Sequence, residues 1–308
     1  MKILITGAGG MLGTDLARRL ASKHSLAGIG WQAAPHLEIP FRVGDLSQVK
    51  TARELILAEK PEIILHAAAM TDVDRCETHR REALQGNLEV TRNVTEAANQ
   101  GGSLLVFFST DFVFDGTKAG PYQEEDIPRP ISVYGETKLL AERYVLLRSR
   151  RFLILRTSWT FGKQGDNFPR KVLRQAEEGR TLQVVSDQSG NPTYTGDLAE
   201  AVDKIIEGVI QQRAGQGNQI YHVANEGIVS RYEYARLILK KRNYPLDLIV
   251  PVESEKAHTR PARRPQNSAL STEKVKNRFG IQLRPWEEAL EAYFEEDHAL
   301  PSAKALKH

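Results

Sequence analysis

The sequence predicts an α/β protein: a doubly wound parallel sheet with a smaller C-terminal lobe interleaved with it. Three observations carry that expectation. Short apolar runs alternate with longer segments of helical period up to residue 157. Glycines cluster directly after the first apolar run. Beyond that half, Pro, Gly and Asn become frequent and the alternation loosens.

The strand candidates, in order, are KILIT (2–6), SLAGIG (25–30), EIPFRV (38–43), EIILHA (62–67), SLLVFFS (103–109) and RFLILRT (151–157). Helical segments fill most of the gaps. MLGTDLARRLAS follows the first strand, SQVKTARELILAEK begins with Ser47 as its expected cap, and ALQGNLEVTRNVTEAANQ stops at Gly101 and Gly102. Later helices, GDLAEAVDKIIEGVIQQ and SRYEYARLILKKRN, bracket a short strand QIYHVA, expected in the second lobe. The expected division is a dinucleotide-binding domain over 1–160, a substrate-binding lobe over 161–295 interleaved with it, and a tail over 296–308.

Composition narrows the function class. A formal charge of +3 over 308 residues, spread apart from TRPARRP, argues against a nucleic-acid partner. The lone Cys76 fits a reducing compartment, and the five-residue apolar start is too short for a signal peptide or a membrane span. A cytoplasmic location without a membrane partner follows as the expectation. No residue is assigned to a metal.

ITGAGGMLG sets Gly7, Gly10 and Gly13 between a strand and a helix, the context of a Rossmann-type dinucleotide loop. The first glycine allows the turn, the second admits a pyrophosphate, and the third lets helix and strand pack closely. Helix N-terminal N–H groups then face the phosphates. Where an acid would grip the adenosine ribose, the chain has Trp31 and Gln32, so NADPH is accepted and mildly favoured while NADH stays open. Asp45 and Leu46 after the third strand, and the small Ala67, Ala68 and Ala69 after the fourth, fit the same cleft, although close packing alone also explains the alanines.

Tyr134 and Lys138, four apart in a helical segment, share one face. An ammonium beside a phenol would lower the tyrosine pKa and suit it to proton transfer at a carbinol oxygen. Thr110 ends the fifth strand in STD, where ligands of open α/β sheets sit, and can hydrogen-bond the same oxygen.

These motifs, in this order, resemble the extended short-chain dehydrogenase/reductases. STDFVFDG, VYGETKLLAE, RTSWTFG, DQSGNPT and RRPQNSALSTEK together resemble the dTDP-4-dehydrorhamnose reductase family, over about residues 2 to 290. The resemblance implies NADPH- or NADH-dependent reduction of a 4-keto deoxysugar nucleotide. Tyr134 would be the proton donor, Lys138 its electrostatic and ribose-binding partner, and Thr110 the oxyanion stabiliser. Asp111 and Trp159 would face the sugar, and Gly7, Gly10, Met11, Leu12, Gly13, Asp45, Leu46 and Ala67 to Ala69 would line the cofactor. It also implies a homodimer. Phe112 stands where sugar-nucleotide dehydratases of the superfamily carry a glutamate, which argues against dehydration.

RPARRPQNS (260–268) reads as a loop for the substrate's diphosphate, with Arg264 as the expected contact. Two other readings stand beside this one. The regulatory subunit of methionine adenosyltransferase resembles the same fold, binds NADP without catalysing, and shares VFDGT. Reductases of related 4-keto sugars could carry every one of these motifs.

Overall fold

A computed structural model of the 308-residue chain describes residues 1–211, 219–256 and 260–297. Most of the expected tail therefore lies outside the described residues. The chain begins β1 (Lys2–Thr6), α1 (Met11–Leu20), β2 (Ser25–Gly30), β3 (Phe41–Val43), α2 (Val49–Glu59), β4 (Ile63–His66) and α3 (Val73–Thr78). Helix α4 (Arg80–Ala83) runs through a π-helical turn, Leu84–Glu89, into α5 (Val90–Gly101). Then come β5 (Leu104–Thr110), α6 (Val133–Arg148), β6 (Phe152–Thr157), β7 (Thr160–Phe161), α7 (Phe168–Glu177), β8 (Leu182–Val185), β9 (Ser189–Gly190) and β10 (Thr193–Tyr194). The remainder is α8 (Thr195–Gln211), β11 (Gln219–His222), β12 (Val229–Ser230), α9 (Arg231–Lys241), β13 (Ile249–Val252), α10 (Glu273–Phe279) and α11 (Trp286–Glu296).

Seven strands make one parallel sheet in the order β11-β6-β5-β4-β1-β2-β3. Because side chains alternate along a strand, each strand feeds two cores. Ile3, Ile5, Val106 and Leu155 pack towards α1 and α8, while Leu4, Leu105, Phe107 and Ile154 pack towards α2, α5 and α6. A separate aromatic core, with Phe161, Tyr194, Tyr234, Trp286 and Tyr293, joins α7, α9 and α11. No helix among the described residues is long and apolar enough to cross a membrane.

Three local expectations need correcting. The third strand is only three residues long, because Pro40 has no N–H for a ladder and the strand lies at the sheet edge. Ser47 does not cap α2, whose N-cap is Gln48 without a side-chain bond; the Ser47 N–H instead closes a turn on Asp45 Oδ1 at 2.9 Å. The QIYHVA strand belongs to the central sheet as β11 rather than to the second lobe, and α8, which leads to it, packs on α1.

Candidate active site

Strand β1 delivers the chain into a turn that only glycine can make. Gly7 has φ +69°, and a Cβ there would lie 2.7 Å from the Ala68 nitrogen. A Cβ at Gly13 would lie 2.2 Å from the Gly7 carbonyl oxygen. The Gly7 N–H donates to Ile29 O at 2.8 Å, so the turn lies flush between the ends of β2 and β4. Exposed Gly10 is the N-cap of α1 and has no side-chain cap, which leaves the first N–H groups, over Met11, Leu12 and Gly13, without a side-chain partner.

The neighbouring loops are held rigidly. Asn93 of α5 donates to the Leu46 and Ser47 carbonyls at 3.0 and 2.9 Å, and hydrogen bonds from Ser47 hold the Asp45 carboxyl below the usual carboxylate range. Ala67, Ala68 and Ala69 follow β4 and are partly exposed. Trp31 and Gln32 follow β2, both exposed. These observations bring the expected cofactor residues to one edge of the sheet, at the carboxyl ends of β1, β2, β3 and β4.

On the adjoining strand ends, the Thr110 hydroxyl donates to Asp111 Oδ1 at 3.0 Å and accepts from the Phe112 N–H at 3.2 Å, capping a short 3₁₀ turn over Asp111–Val113. Burial raises the Asp111 carboxyl to about 6, against hydrogen bonds from Ser268, Thr110 and Ser158 and the charge of Arg231. Helix α6 starts at an N-cap in which the Ser132 hydroxyl accepts the Gly135 N–H at 3.2 Å. A Cβ at Gly135 would lie 2.1 Å from Phe112 O, so the glycine lets the helix touch the Thr110 turn and bring Tyr134 with it. The Phe112 and Tyr134 rings meet edge to face at 5.9 Å.

One expectation about this pair fails. The Lys138 ammonium does not depress the Tyr134 phenol: burial pushes the phenol well above its ordinary value, with a hydrogen bond to Thr110 acting the other way. Lys138 Nζ instead donates to Phe108 O at 2.7 Å and lies 4.2 Å over the Phe107 ring. Burial pulls Lys138 down to about 7, with Glu142 one turn later opposing it. Glu142 is itself gripped by the buried Arg156 through two hydrogen bonds of 2.9 and 2.8 Å.

Trp159 follows β6 with φ +44°, a backbone conformation that costs energy for a bulky residue and recurs at ligand sites. Its Nε1 donates to Ser268 Oγ at 3.1 Å, and a Cβ on Gly190 would lie 2.6 Å from its Cε2. The RTSW, SGNPT and PQNS segments thus converge on one indole. Buried Asn191 ties the same region together, donating to Gly227 O at 2.7 Å and accepting from the Leu270 N–H at 2.7 Å. Arg264 stands differently from its expected role: its guanidinium grips both oxygens of Asp74 in α3, at 2.7 and 2.6 Å, and donates to Ala262 O at 2.7 Å.

Sequence reasoning misses several residues of this site. Arg231 lies 3.4 Å over the Trp159 ring, Ser158 donates to Asp111 Oδ2 at 3.2 Å, and Asn87 in the π-helical turn bonds the Met70 backbone and Thr137 Oγ1. The irregular helix around Asn87 has no sequence signal. Ser158 and Ser268 do lie inside RTSWTFG and RRPQNSALSTEK, but serine is too common a residue for its presence there to single it out.

The family described as RmlD substrate binding domain matches residues 1–299. A dTDP-4-dehydrorhamnose reductase of Aggregatibacter actinomycetemcomitans is 38% identical over 296 residues, covering 94% of this chain and 97% of that protein. The spore coat polysaccharide biosynthesis protein SpsK of Bacillus subtilis is 35% identical over 295 residues, covering 96% of this chain and 97% of that protein. Among solved structures, dTDP-4-dehydrorhamnose reductase from Bacillus anthracis in complex with NADP superposes with a TM-score of 0.86 at 32% identity, covering 96% of this chain and 99% of that one. With that similarity running nearly end to end through the glycine turn, the Thr110 strand end and the Trp159 cleft, the chain belongs to the dTDP-4-dehydrorhamnose reductase family.

Proposed function

We propose that this protein reduces the 4-keto group of dTDP-4-dehydrorhamnose to give dTDP-L-rhamnose, using NADPH or NADH. The observation that carries this reading is the meeting of Thr110 and Tyr134 at the carboxyl end of β5, beside the glycine turn, in a chain so similar to proteins of that name. Gly7 and Gly13 let the turn, α1 and the β4 loop close backbone on backbone, and the exposed Gly10 at the uncapped start of α1 fits a dinucleotide phosphate at that helix end. When bound, the reduced nicotinamide supplies the hydride.

The chain's own groups handle the oxygen. Thr110, turning its hydroxyl proton from Asp111 to the substrate, donates a hydrogen bond to the carbonyl and to the alkoxide that develops from it. Tyr134, kept protonated by burial, gives its proton to that oxygen, while Lys138, held on the Phe108 carbonyl one helical turn later, is the group for the cofactor ribose. Asp111, Ser158 and Ser268 present a connected set of oxygens to the sugar hydroxyls, with the Trp159 indole as a flat wall. The same reading makes the protein a cytoplasmic homodimer, which cell fractionation and light scattering address.

The test is an assay of purified protein with NADPH or NADH and dTDP-4-dehydrorhamnose, run beside related 4-keto sugar nucleotides. Oxidation of the reduced cofactor with formation of dTDP-L-rhamnose is the expected result. Cofactor binding without turnover of any keto sugar would favour a non-catalytic, partner-binding role.

A further inference from the structure

Arg231 is the first residue of α9, and its surroundings do not balance its charge. A cation is disfavoured at a helix N-terminus, where the helix dipole is positive. Among the described residues its guanidinium makes no hydrogen bond and no ion pair; its contacts are the Trp159 ring at 3.4 Å and the Phe168 ring at 4.9 Å. Arg260 and Arg264 are close enough to oppose its charge, and the Asp111 carboxylate favours it. Asp74 cannot serve as its counter-ion, because that carboxylate is bound on both oxygens by Arg264.

Three guanidinium groups therefore gather on the second-lobe side of the cleft around two carboxylates. One of these, Asp74, is spent on Arg264, and the other, Asp111, is already bonded to Thr110 and Ser158. A partly buried cation left without a partner is costly unless an anion arrives. The aromatic faces hold the fork in one orientation, so little side-chain freedom would be lost when its N–H edge meets an oxyanion. The place is also apt. Arg231 touches the indole that walls the sugar site, and in a nucleotide sugar the diphosphate is attached directly to the sugar.

We propose that Arg231 is the diphosphate-binding residue of the substrate cleft, receiving phosphate oxygens on the N–H edge that its stack on Trp159 leaves free, while Arg264 holds its own loop to α3 through Asp74. This deepens the nucleotide-sugar reading above and rests on it.

Titration calorimetry of the full chain with dTDP and with thymidine separates phosphate recognition from base recognition. Hydrogen bonds to a charged group are worth enough that Arg231→Ala should weaken dTDP binding by roughly 10- to 100-fold. Thymidine and NADPH affinities should not change. Arg231→Lys, which keeps the charge and loses the planar stack, should fall between the two. A thermal melt and NADPH binding by both variants confirm that they fold. Unchanged dTDP affinity in a folded Arg231→Ala variant overturns the proposal, and so does equal weakening of dTDP and thymidine, which would make Arg231 a support for Trp159 only. If the wild type binds UDP in place of dTDP, the nucleotide assignment above is wrong and the arginine is tested unchanged with UDP. If the wild type binds neither, both fall.

Discussion

Replacing Lys138 with methionine should stabilise the fold while abolishing its use. The ammonium is almost wholly buried, 3% exposed, between the Phe107 ring and the Phe108 carbonyl. Burial brings its pKa from 10.5 to about 7. The direction is the reverse of a stabilising lysine: between about pH 7 and 10.5 the unfolded chain binds more protons, so wild-type stability rises with pH across that window. At about pH 7 the shift corresponds to roughly 4 kcal/mol against the folded state. Methionine keeps the apolar stem and forfeits the Phe108 hydrogen bond, worth about 1 kcal/mol, so Lys138→Met should be more stable by about 3 kcal/mol. By about pH 9.5 that advantage should shrink to near zero, because the wild-type lysine is then neutral in the fold. Urea unfolding of both proteins without cofactor, followed by tryptophan fluorescence at the two pH values, reads the difference directly. A variant that is less stable than the wild type by the same margin at both pH values would show that this ammonium is not electrostatically strained, and the reasoning would fail.

Tyr134→Phe should lower kcat by roughly 10² to 10⁴, the usual worth of a general acid, while NADPH still binds; near-native turnover would remove Tyr134 as proton donor. Gln32→Asp places a charge at the exposed end of β2 and should shift kcat/KM toward NADH by roughly tenfold to a hundredfold, measured by paired assays with the two cofactors; an unaltered ratio would put the discriminating contact elsewhere. Because Arg264 is paired with Asp74, Asp74→Ala should reproduce whatever rise in KM for the sugar nucleotide Arg264→Ala produces; a rise confined to Arg264→Ala would give that arginine direct contact with substrate.

The elements that could be read in advance were those whose cause is local. Apolar runs closed by glycine gave β1 and β2 to the residue, and Gly102, with φ +72°, ends α5 where two glycines announced a stop. The Gly7 turn was legible from its place between a strand and a helix, and the shared face of Tyr134 and Lys138 from four-residue spacing in a helical segment. What escaped depends on residues distant in the chain. The pairing of Arg264 with Asp74 joins positions 190 apart, and no periodicity marks it. The failed lysine effect on Tyr134 has the same origin: four-residue spacing puts two side chains on one face but does not say that a carbonyl from β5 will claim the ammonium. The left-handed backbone at Trp159 has no local signature either, since neither tryptophan nor its neighbours favour it.

The position of β11 has a consequence for how the chain comes to be folded. The outer strand of the sheet, and the helix that covers it beside α1, are encoded after the whole run from β7 to β10. A fragment ending near residue 160 would leave β6 with an unpaired edge and α1 with a bare apolar flank, the features that draw chains into aggregates. During synthesis the first half must wait on the ribosome with that edge open until His222 has emerged, and parallel pairing over such a separation is slow. Cutting the gene between the two nominal domains should therefore yield an insoluble first piece, and co-expressing the pieces would recover it only if the second carries residues 195–222.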